Sequence, residues 1–138
     1  KENTMLSILI HQDYDTLIDN NKYPSIAVKI VEHEFSEIGN CVEKRNANLR
    51  MCSISEYSED KDSENVFIKI GGTPFLIQDE ETYYKELEEH GFFFFLSIDE
   101  DGYSEDVIIG SYPFGYGALY LYKHHMTNEI IAGFWQYS

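Results

Sequence analysis

The chain has 138 residues, 43% hydrophobic and 15% aromatic, with a formal net charge of −15. That length fits one domain that can bury a core, and the apolar content excludes a disordered chain. With 10 Lys plus Arg against 25 Asp plus Glu, grip on phosphates is excluded, so neither nucleic acid nor an anionic membrane is an expected partner.

The chain starts KENTMLSILIHQ, without a basic region, a long apolar segment or a small-residue cleavage site, and a cytoplasmic location without a leader is expected. Met5 to Ile10 reads as a short buried strand or the first turns of a helix, since periodicity does not separate the two. Asn20, Asn21 and Pro24 mark a loop. Residues 25–35 alternate Ile26, Val28 and Ile30 against mostly polar neighbours, which predicts a strand. Cys41 and Cys52 make no disulfide framework and are expected as reduced thiols. Leu49 to Tyr57 alternates as a further strand, and 58–65 is a charged loop.

VFIKI (66–70) predicts a strand, followed by turn chemistry at Gly71, Gly72 and Pro74. Residues 80–90 predict a helix capped by Asp79 and stopped by Gly91. Tyr83 and Leu87 form its narrow apolar stripe, Tyr84 and Glu88 are likewise four apart, and Glu81 and Lys85 are spaced for an ion pair. FFFFLSI (92–98) predicts a strand with Phe92, Phe94, Leu96 and Ile98 on one face and Phe93, Phe95 and Ser97 on the other. The phenylalanine run is expected to be buried on both faces. Asp99 to Gly102 is a turn, 103–110 is expected to return as a partner strand, and 118–126 and 129–138 predict two more. The fold class is β-dominated α+β, a single domain with a mixed or antiparallel sheet and one or two short helices.

Charge is unevenly placed. Residues 79–106 hold 11 acids and one base, while 107–138 hold one of each. A generic solvated surface mixes its signs more evenly, so this block points toward a cationic or basic partner.

Motifs for chemistry are absent. DEDG at 99–102 has its glycine fourth, not sixth as in an EF-hand, and is read as a solvated turn. His124 and His125 are adjacent and would point to opposite faces of a strand; His11, His33 and His90 have no metal-ligand spacing. GSYPFGYG (110–117) lacks the Lys-Ser/Thr ending of a phosphate loop. No cysteine or serine sits in a nucleophile motif. No catalytic residue, metal or cofactor is therefore expected.

Four pieces, KIGGTPFLIQ (69–78), FFFFLSIDEDG (92–102), FGYGALYLYK (114–123) and FWQYS (134–138), give 69–138 a resemblance to the YwqG-like family. Phe75 stands where a tryptophan is common in that family. The resemblance implies a β-rich cytoplasmic bacterial fold and carries no catalytic residues.

The expected function is binding: an acidic bacterial immunity protein that neutralises a basic toxin domain, such as the C-terminal nuclease domain of a secreted toxin. Asp99, Glu100, Asp101, Glu105 and Asp106 are the expected electrostatic contacts, with Tyr103 as an aromatic anchor. Glu86, Glu88 and Glu89 on the helix form a second candidate surface. The alternatives are a small-ligand binder or enzyme with a pocket of Tyr112, Tyr116, Tyr120 and His124, and a housekeeping YwqG-like scaffold.

Overall fold

A computed structural model describes residues 3–11, 13, 18–37, 39–41, 43, 50–51, 53–54, 56, 58–59, 66–104, 108–110 and 112–137. The elements in order are β1 (Thr4–Ile10), β2 (Val28–Glu34), β3 (Ile68–Ile70), α1 (Glu81–Glu89), β4 (Phe92–Asp99), β5 (Ala118–His124) and β6 (Ile130–Gln136). β1 and β2 form a two-stranded antiparallel sheet, and β3-β4-β5-β6 form a four-stranded one, also antiparallel throughout. The chain is thus a β-dominated α+β fold.

The four-stranded sheet is covered on both sides. Leu87, fully buried, packs from α1 with Tyr83 and Tyr84 onto Ala118, Tyr120, Tyr122 and Phe134. Burying a leucine completely stabilises by about 1.5–3 kcal/mol. On the opposite side, Ile8 and Ile10 of β1 and Val28 and Ile30 of β2 pack onto Leu119, Leu121 and Trp135.

Two bulges decide which side each residue of the sheet faces. In β4 the register with β5 shifts between Phe94 and Leu96, so Phe94 opposes Tyr122 while Leu96 opposes Leu121. The extra residue, Phe95, moves Leu96 and Ile98 to the β1–β2 side, away from Phe92 and Phe94. The expected single face of Phe92, Phe94, Leu96 and Ile98 is corrected accordingly, because an inserted residue reverses the alternation beyond it. In β6 the matching shift falls at Gly133. A β-carbon there would come within 2.6 Å of the Tyr122 ring and 2.9 Å of Leu87, so the bulge residue must be small for α1 to seat.

Several expected boundaries move. Glu80, not Asp79, is the N-cap of α1, and its side chain makes no capping bond. Gly91 does end the helix: at φ +82° it takes the conformation that side chains resist, and its N–H donates to the Glu88 carbonyl. Glu81 and Lys85 pair at 3.4 Å. No strand forms at 103–104 or 108–110; β4 pairs instead with β3 and β5. Of the strand expected over 49–57, residues 50–51, 53–54 and 56 are described and none is in a strand. Cys41 carries a free thiol; Cys52 lies outside the described residues. Among the described residues no helix is long and apolar enough to cross a membrane.

One connection shapes the surface that follows. Beyond β3 the chain leaves the sheet edge at Gly71, whose N–H donates to Phe95 O at 2.8 Å. It then crosses the helix-side face as a strap. Tyr120 Oη donates to Phe75 O at 2.7 Å, and Gln78 and buried Gln136 exchange two hydrogen bonds, at 2.6 and 3.1 Å. The strap is therefore tied to β5 and β6, while the first half of β4 is left behind at the sheet edge.

Candidate partner-binding surfaces and an acid-rimmed cleft

The acidic turn is built inward as much as outward. Asp99 ends β4, and its Oδ1 accepts from the Asp101 N–H at 3.0 Å, closing the short 3-10 turn Glu100–Gly102. Glu100 is only 1% exposed. Its Oε1 accepts from the Phe114 N–H at 2.9 Å and its Oε2 from the Gly117 N–H at 3.2 Å. The expectation of Glu100 as an outward contact is corrected: its carboxylate is consumed by two backbone donors that would otherwise be buried without partners. Burial raises its pKa above the ordinary carboxylate range, and the backbone N–H groups oppose that rise. Asp99 is raised too, by burial first, with Asp101 adding repulsion. Asp101 is exposed. Glu105 and Asp106 lie outside the described residues.

The Glu100 clamp shapes the 112–117 loop, and the loop carries an aromatic stack. Tyr112 and Tyr116 stack with centroids 4.1 Å apart, Tyr103 lies 6.5 Å from Tyr112, and Phe67 lies 5.0 Å from Tyr103. Tyr116 is 59% exposed and sits at φ +61°. A bulky residue in that left-handed region is strained, and such strain persists only where the surroundings impose it. The expected anchor Tyr103 thus joins two residues assigned by sequence to a separate pocket.

That separate pocket does not form. Tyr120 is fully buried on the helix side, its hydroxyl held by Phe75 O and its pKa pushed up to about 12 by burial. His124 lies at the other end of β5, opposite Phe92. Its Nδ1 lies 3.2 Å from the donating N–H groups of both Met126 and Thr127, and its ring stacks on His125 at 5.1 Å. The two histidines do not point to opposite faces, because His125 is already in the turn beyond the strand.

The helix acids form a second, distinct surface. α1 joins the start of β4 and the acidic turn follows its end, which separates the two by about 25 Å of strand. Glu86, Glu88 and Glu89 are exposed, and among the described residues none of them, nor Asp79 or Asp101, makes a salt bridge.

Glu88 also borders a cleft that sequence reasoning missed. The cleft, of about 550 Å³, lies between the strap at Gly72 to Leu76, the α1 side chains Tyr84 and Glu88, and Phe92 to Phe94 of β4. Asp79 and Tyr122 also line it. Tyr122 is held well above the usual tyrosine range by burial and by the field of Glu88; Tyr84 is raised by desolvation and by Asp79, Glu81 and Glu88. Phe93 is 48% exposed here, which corrects the expectation that the whole phenylalanine run is buried. The available signals were the Tyr84–Glu88 spacing and the Gly71-Gly72 break, which together hint at an open edge beside an acidic helix.

No family model, curated protein or solved structure matches the chain.

Proposed function

We propose that the protein is a binding protein, not an enzyme, that neutralises a basic partner, namely a toxin nuclease domain blocked by a bacterial immunity protein of the YwqG-like kind acting in the cytoplasm. The observation that carries this reading is the aromatic stack Tyr103–Tyr112–Tyr116 beside the exposed Asp101, which makes no salt bridge among the described residues, with Tyr116 exposed in a strained conformation. Tyrosines supply contact area at low entropic cost, and neighbouring carboxylates steer a cationic partner onto them. Nuclease active sites are basic because they hold phosphates, which makes them suitable targets for such a surface. The exposed carboxylates of Glu86, Glu88 and Glu89 on α1 add to the same long-range field.

The test is binding to a basic nuclease domain encoded beside this gene. Nanomolar affinity is expected, with an association rate falling at least about tenfold between low and high salt. Salt-independent association, or no inhibition of the nuclease, would contradict the reading.

A further inference from the structure

The two edges of the four-stranded sheet are finished differently. At β6 the chain segment 21–23 lies along the outer edge: the Trp135 N–H donates to Asn21 O at 2.8 Å, Asn21 Nδ2 donates to Trp135 O at 3.1 Å, and the Tyr23 N–H donates to Gly133 O at 2.7 Å. At the opposite edge β3 pairs only with Leu96–Ile98. Phe92, Phe93 and Phe94 have β5 on one side and, among the described residues, no strand on the other. An unpaired edge presents backbone groups to any extended chain that can reach it. This one opens into the cleft described above, which Phe75, Tyr84, Phe92 and Phe94 line and where, among the described residues, Asp79 and Glu88 make no ion pair. Phe75 already accepts a cation on one side, with Lys69 Nζ 4.9 Å from its ring centroid.

We infer that this cleft receives an arginine side chain of the basic partner, carried on an extended segment that adds as a short strand along Phe92–Phe94. The inference rests on the reading of the protein as a binder of a basic partner, and assigns that partner a second foothold far from the tyrosine stack. Edge addition supplies main-chain hydrogen bonds, and the pocket supplies side-chain choice. A guanidinium fits because its plane stacks on aromatic faces while its N–H fork reaches carboxylates, and it is less strongly hydrated than an ammonium. The volume lies within the range of about 300–1,000 Å³ of ordinary ligand pockets, enough for a long side chain with its backbone.

The probe is the peptide acetyl-Thr-Val-Arg-Val-Thr-amide, titrated into the full chain and followed by backbone amide NMR. Its citrulline counterpart has the same shape without the charge, and acetyl-arginine amide has the side chain without the strand. Saturable shifts centred on Gly72, Glu88 and Phe92–Phe94 are expected, with about tenfold weaker binding of the citrulline peptide and of the exposed-site variant Glu88→Gln. Equal binding of the two peptides, or shifts centred on Asp101 and Tyr116, would overturn the inference. Acetyl-arginine amide binding as tightly as the peptide would overturn its strand-addition part and assign the cleft to a small cation. These outcomes leave binding of a nuclease domain at the tyrosine stack to be judged by its own measurement, so the two readings fail separately.

Discussion

Glu100 is the residue on which the turn and the tyrosine loop both depend. Removing it in Glu100→Ala leaves the Phe114 and Gly117 N–H groups buried without an acceptor. Two such losses should lower the unfolding free energy by roughly 2–4 kcal/mol at neutral pH, as read by urea denaturation. The pH dependence has a definite sign. A raised folded-state pKa means that the native state binds the proton more tightly than the unfolded chain, so acidification favours the native state across that window. The wild-type advantage over Glu100→Ala should therefore grow as the pH falls from neutral into the range just above the ordinary glutamate value. A shrinking advantage would mean that the carboxylate is stabilised as an anion. Sequence could not reveal this residue's role: an acid between two acids reads as solvated, and its partners are backbone groups 14 and 17 residues further on.

Among the elements, α1 and β4 carry most of what the sequence made legible. The stripe of Tyr83 and Leu87, the Gly91 stop and the Glu81–Lys85 pair stand as the spacing predicts. The bulge at Phe95 was not legible, since four identical residues carry no polar marker of phase. The expected return strand is missing from the described residues 103–104 and 108–110 for a different reason: β3, coming from before the helix, already occupies that side of β4 at Leu96–Ile98. Phe93 and Phe94 should separate in a stability assay. Phe94→Ala removes a ring packed edge-on against Tyr122 at 6.2 Å and should cost about 2–4 kcal/mol. Phe93→Ala, at a half-exposed position, should cost under about 1 kcal/mol; equal losses would place both rings in the core. The helix start offers a gain. Glu80 caps α1 without a side-chain bond to the helix backbone, its carboxylate accepting only from the Thr82 hydroxyl at a long 3.5 Å, so Glu80→Ser should raise the thermal midpoint, adding about 0.5–1 kcal/mol. An unchanged or lowered midpoint would mean that the first turn is already satisfied.

Across the molecule, charge and shape divide the labour. The sheet, covered by α1 on one side and by β1–β2 on the other, holds the acidic turn and tyrosine stack at one end of β4 and the acidic cleft at the other. The acidic block was visible in composition alone, yet its sorting was not. Folding turned Glu100 inward, left Asp101 outside, and gave Glu88 to a cleft whose aromatic wall comes from three separate segments. Such convergence depends on how the strap after β3 crosses the sheet, which no local pattern encodes. The most direct test of the central claim is stopped-flow association with the basic nuclease domain, comparing the wild type with Asp101→Lys and Tyr116→Ala. Association should be slower for Asp101→Lys, with a weaker salt dependence, and dissociation at least about tenfold faster for Tyr116→Ala. Both variants should keep wild-type unfolding midpoints. Wild-type kinetics in both variants would contradict a partner surface at the turn and its tyrosine stack.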